Sequence, residues 1–370
     1  MKKFTYFTIA NSIFFLVFTL INTFGIAYLY SMRNDSLYFS VGLLVVVRVL
    51  YILLLPLLAK YIGILGSKTS IIISLLFLLI SNIFLIFAET SYIYLAFWVL
   101  ANSLAYVFYF VPIFLYTSKY TSSETRGIQF GKIYSLVIFV TAFAPYLSGA
   151  MISNYSIQGF VVLLILLISV SILFVNKLQN IKFVYSGEIH KLRLNKSLVR
   201  GSWIESCHYS TRNLSIFWTL FIFVSFNENF ENFGILLTAI TLFSAFLNLL
   251  LGKYLNKHNR KDLVKTQIIF SPFSWIFRIL AFNPISIFFA DAFHSLNGFI
   301  RESAVETTAY DLITRDGHQE ILDEKIVYRE IVINIAIIIT LVSGIWLATT
   351  FGIKSSFILG IIISFGYLLI

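Results

Sequence analysis

Apolar runs of membrane-spanning length follow one another along the whole chain, separated by short polar breaks. A backbone inside hydrocarbon must satisfy its own hydrogen bonds, so each run predicts a helix in spite of its Phe, Ile and Val content. Twelve runs stand out. Six lie before residue 176, at Phe4 to Tyr30, Tyr38 to Tyr61, Thr69 to Ala88, Tyr92 to Thr117, Gly131 to Ser153 and Gln158 to Val175. Six follow residue 200, at Gly201 to Phe226, Phe233 to Leu255, Val264 to Phe282, Pro284 to Leu312, Val327 to Thr349 and Ile353 to Ile370. Each is near the ~20 residues a span requires. The first begins Met1-Lys2-Lys3 like a signal peptide, but its apolar run is too long for one, so an uncleaved span is expected.

The basic residues give these spans a direction. Lysines and arginines fall almost entirely on alternate connections, from Lys2 and Lys3 through Lys60, Lys119, Lys191 and Lys257 to Arg315 and Arg329. The other connections carry Arg33 and Lys354, with Arg278 near that end. Cytoplasmic loops retain positive charge, so both termini are expected inside a cytoplasmic membrane. The one sizeable connection before the last third, residues 177–200, divides the chain into blocks 1–176 and 201–370. Each block enters from the same side, which predicts an all-α membrane protein of two six-helix pseudo-symmetric bundles related by an axis along the membrane normal.

Composition removes other classes. With 59% hydrophobic and 12% charged residues and a mean hydropathy of +0.88, 370 residues hold too little polar surface to coat a water-soluble globule. The net charge of +10 is scattered over short connections rather than gathered on a face, which argues against nucleic acid. The single Cys207 excludes an internal disulfide. No glycine-rich phosphate loop or nucleophile elbow occurs, and no cofactor is implied.

After the eighth run the chain reads Gly252-Lys-Tyr-Leu-Asn256-Lys257-His258-Asn259-Arg260-Lys261, and after the second Pro56-Leu-Leu-Ala-Lys60-Tyr61-Ile62-Gly63. The first of these resembles the G-x-x-x-D-R-x-G-R-K loop of the major facilitator superfamily, with Asn256 for Asp; the second retains only Gly63 and the register. In the fifth run Gly131, Pro145 and Gly149 fit a facilitator antiporter pattern, while Val140, Ala144 and Ser148 replace glycines. Tyr328-Arg329-Glu330-Ile-Val-Ile-Asn334 is similar to a pattern in poorly characterised prokaryotic members. The resemblance implies a monomeric secondary carrier moving a small solute by alternating access, and the fifth-run pattern leans it toward antiport and export. It also implies that runs 1, 4, 7 and 10 line a central cavity. Physically, small residues let helices approach closely, and the basic turn at Lys257 and Arg260 can pair with Glu302 and Glu306 as a conformational latch.

Ionisable groups inside the spans mark function by default, because burying them without a cavity or partner is costly. Arg48 lies midway along the second run. Glu205, His208 and Arg212 fall at i, i+3 and i+7 and share a helical face, as do Asp291, His294 and Arg301 approximately. Asn22 and Asn102, with Asn11, Tyr106 and Tyr109, are candidates to complete the cavity from runs 1 and 4. A coupling proton is expected on Glu205 or Asp291, beside His208 and His294, with a fixed salt-bridge network as the competing role. Two other classes stay open. Glu205, Asp291 and His294 would form a metal-export site if brought together, although the five His are dispersed. A membrane enzyme or lipid-handling scaffold would place its site on the inner surface, where Arg315, Asp316, His318, Glu320, Asp323 and Glu324 gather.

Overall fold

Helices form where the apolar runs lie. The computed structural model describes residues 2–32, 36–120, 141–187, 192, 195–255, 260–301, 305, 307–314 and 322–369. α1 (Lys2–Leu20) passes through one π turn (Ile21–Gly25) into α2 (Ile26–Met32). Then come α3 (Leu37–Leu65), α4 (Ser67–Ile86), α5 (Tyr92–Tyr120) and α6 (Ala144–Val175). Beyond the long connection lie α7 (Lys196–Ser225), α8 (Phe230–Leu255), α9 (Arg260–Leu280), α10 (Pro284–Arg301), α11 (Thr307–Thr314), α12 (Leu322–Phe351) and α13 (Phe357–Phe365). No strand occurs among the described residues. Among the described residues, seven helical stretches are long and apolar enough to cross a bilayer: Thr5–Met32, Leu37–Leu65, Ser67–Ile86, Tyr92–Thr117, Ala144–Val175, Phe230–Leu247 and Leu322–Phe351.

Local chemistry explains where elements start and break. α6 is two helices joined across a kink at Ser156 (φ 55°, ψ −164°), between the fifth and sixth runs. α7 begins at Lys196, ahead of Gly201, because Asn195 caps it by accepting from Leu198 N at 2.7 Å. The tenth run is divided between α10 and α11.

The polarity of the surface is that of a membrane-embedded protein. Leu53, Leu57 and Ile64 of α3, Leu166 and Leu173 of α6, and Ile339 and Trp346 of α12 face outward. Ser67, Ser70, Ser74 and Ser81 of α4 are fully buried, and Ser74 Oγ donates to Ala105 O of α5 at 2.7 Å. Water would favour the opposite arrangement; small hydroxyl residues between helices suit packing in lipid.

The first and second halves of the chain meet along two seams. In one, α3 packs against α12; in the other, α6 packs against α8. The second seam is close because it is built from glycine: a Cβ on Gly149 would strike the Phe230 carbonyl, and one on Gly234 the Pro145 carbonyl. The connection after α6 is an extended strap. Ile181 N donates to Ser67 Oγ at 2.8 Å, and Lys68 Nζ reaches Asn176 O at 2.7 Å. Phe183 O lies where a Cβ on Gly63 would be, so only glycine admits the strap there. It then crosses to the second half, where Ser186 N and Oγ donate to Glu324 Oε1 at 3.0 and 2.7 Å and Val184 N donates to Asp323 Oδ2.

Candidate functional site

A cavity of about 200 Å³ lies between the halves. Phe15, Phe18, Thr19, Asn22 and Thr23 line it from the first helical stretch, Arg48 from α3 and Phe110 from α5. The opposite wall is Tyr209, Arg212, Asn213, Ser215, Ile216 and Thr219 of α7 with Glu330, Ile333, Asn334 and Ile337 of α12. Most of these positions are near the middle of their helices, which puts the cavity at mid-depth. The π turn at Ile21–Gly25 carries Asn22 and Thr23 into the lining. Asn22 Nδ2 donates to Phe18 O at 2.8 Å.

Arg48 is the centre of this wall. It is buried, at 7% exposure, with Nη1 donating to Asn334 Oδ1 at 3.1 Å and Nη2 to Asn213 Oδ1 at 3.2 Å. Both amides are oriented from behind: Asn213 Nδ2 donates to Tyr209 O and Asn334 Nδ2 to Glu330 O, each at 2.8 Å. That bond turns each Oδ1 toward the guanidinium. Arg48 also lies over the Tyr106 ring at 4.8 Å, and Arg212 over the Phe15 ring at 5.2 Å.

Below Arg48, toward the strap, runs a buried ion network. Arg329 donates from Nη2 to Glu205 Oε1 at 2.7 Å, from Nε to Glu205 Oε2, and from Nη1 to Glu330 Oε1. Tyr51 OH donates to Glu330 Oε2 at 2.8 Å. Arg329 lies over Phe114, and Phe114 stacks on Tyr310 with ring centres 4.2 Å apart.

The structure separates the candidates drawn from the sequence. Arg48, Arg212 and Asn22 line the cavity, and Glu205 lies below it in the Arg329 network. His208 is fully buried against Tyr209. Asn102 donates to Trp98 O within its own helix α5, whereas Asn11 accepts from Tyr109 OH at 2.6 Å and so ties α1 to α5. Asp291 and His294 face α9: Asp291 accepts from Arg278 Nη2, and His294 Nδ1 meets Ser274 Oγ at 3.1 Å. Arg278 also donates to Ser215 Oγ at 3.1 Å, which links this cluster to the cavity wall. Glu205 is not brought to Asp291 and His294, and no group of three metal-ligating side chains occurs among the described residues.

The candidate latch cannot be placed: Asn256, Lys257, Glu302 and Glu306 lie outside the described residues, as does Gly131, and for Gly252 and Arg260 only the backbone is described. Pro145 opens α6, and Gly149 lies at the α6 and α8 seam. Sequence reasoning assigned no site role to Asn213, Glu330, Asn334 or Tyr51, and it counted Arg329 as a loop charge, whereas Arg329 is buried at 3% exposure. Comparison of the sequence with family models and with curated proteins finds no match.

Proposed function

We propose that the chain is a secondary carrier that moves a small solute across the cytoplasmic membrane by alternating access, with the two-bundle, twelve-span plan of the major facilitator superfamily. The observation that carries this reading is the mid-depth cavity walled by both halves, with Arg48, Arg212 and Glu330 in an otherwise largely apolar lining. The seams support it. Counting the predicted spans in order, the first seam pairs spans 2 and 11 and the second pairs spans 5 and 8. Exchanging the halves turns either pair into the other, the relation expected of parallel repeats. Two such seams leave the halves free to rock about the cavity. For ion coupling, the candidate groups become Glu205 and Glu330, the buried carboxylates that share Arg329 between them.

The test is access from both sides. Thr219→Cys places a thiol in the cavity wall, with Cys207→Ser to remove the native one. A membrane-impermeant maleimide is expected to label it in both right-side-out and inverted vesicles. Labelling from one face only would fit an enzyme or scaffold and end the carrier reading.

A further inference from the structure

We infer that the cavity binds an organic anion, a carboxylate or phosphate joined to a flat apolar body; this rests on the carrier reading for its purpose but not for its chemistry. Charge is the first ground. Among the described groups of the cavity and the network beneath it, Arg48, Arg212 and Arg329 face Glu205 and Glu330, an excess of one cation. Both oxygens of Glu330 are engaged, by Arg329 and by Tyr51, so the one carboxylate in the lining is already matched. Glu205 is likewise held by two bonds from Arg329.

Arg48 itself is held by neutral partners. Its bonds end on two amide oxygens and its face on a phenol ring. A buried guanidinium held this way is costly, and an anion seated against it would offset that cost. Each terminal nitrogen spends one N–H on an amide, leaving the rest of the fork for a planar or tetrahedral oxyanion. Shape is the second ground. Phe15, Phe18 and Phe110 form the apolar side of the same cavity, and Thr19, Thr23 and Thr219 add hydroxyls. A charged head at Arg48 with a ring against the phenylalanines satisfies both.

The probes are benzoate and phenyl phosphate, with benzamide and benzylamine as neutral and cationic counterparts of the same size. Added to the purified full chain in detergent, the two anions are expected to raise the unfolding temperature saturably, while benzamide and benzylamine do not. Arg48→Gln is expected to weaken benzoate binding about ten- to a hundredfold, and Arg48→Lys, which keeps charge but loses the fork, by less. The proposal is overturned if neither anion shifts the wild-type protein, or if benzamide or benzylamine matches them. That comparison needs no variant, so a misfolded Arg48→Gln leaves it decisive. Failure here with two-sided labelling of Thr219→Cys would remove the anion and leave the carrier; anion binding with one-sided labelling would do the reverse.

Discussion

At the scale of residues, the heaviest consequence falls on Arg329. It closes two carboxylates at once, and all three groups are buried, so Arg329→Met would strand Glu205 and Glu330. Removing one partner of such a buried network costs about 3–5 kcal/mol, whereas Tyr51→Phe, which removes a single bond to Glu330, costs about 1.5–3 kcal/mol. Thermal unfolding in detergent should rank Arg329→Met well below Tyr51→Phe; equal losses would show that the network is not held through the arginine. The sequence reveals some of this site and hides the rest for a physical reason. Arg48 stands in the middle of an apolar run, where a cation has no topological use, so its importance is readable. Arg329 stands near the edge of one, where basic residues ordinarily report sidedness. Only the start of α12 at Leu322 puts it about two turns inside a helix. Asp291 and His294 illustrate the converse limit: their spacing correctly gives a shared face, but periodicity cannot say which neighbour that face meets, and here it is α9.

At the scale of elements, the α6 and α8 seam and the interior of α3 make a matched pair of glycine experiments. Gly149 meets backbone, which cannot yield as a flexible side chain does, so Gly149→Ala must push the helices apart. Gly42, inside α3, has no atom within 4 Å of an added Cβ. Gly42→Ala should therefore stabilise by about 0.5–1 kcal/mol through restricted unfolded-chain freedom, while Gly149→Ala should lower the unfolding temperature. If both substitutions stabilise, the seam is looser than its geometry requires. Helix positions were legible because hydrocarbon leaves an apolar run no other backbone structure, and the break at Ser156 falls between the runs ending at Ser153 and starting at Gln158. Pairings between helices were not legible. Gly149 was readable as a small residue in a proline-bearing run, but its partner Gly234 is an isolated glycine near the start of another, and nothing local joins them.

At the scale of the whole molecule, contacts between the halves lie on both sides of the cavity along the helices. On the side away from the strap, Ser31 Oγ donates to Glu228 Oε2 at 2.8 Å, Tyr38 OH to Thr349 Oγ1 at 2.9 Å, and Phe24 packs on Phe233. On the strap side, Phe114 stacks on Tyr310, and Ser186 and Val184 hold Glu324 and Asp323. If the halves rock as two bodies, the ends compete, and weakening one must shift population toward opening there and away from opening at the other. Ser31→Ala with Glu228→Gln should speed labelling of Thr219→Cys from the far face and slow it from the strap face. Glu324→Gln with Asp323→Asn should do the opposite. Each change removes bonds to a carboxylate, so shifts of up to about tenfold in relative rate are expected. The reciprocal slowing is what discriminates. A pore or a fixed cleft would gain access at the loosened end and lose none at the other, so labelling rates that rise at one face without falling at the opposite face would refute a rocking carrier even if the cavity proves reachable from both.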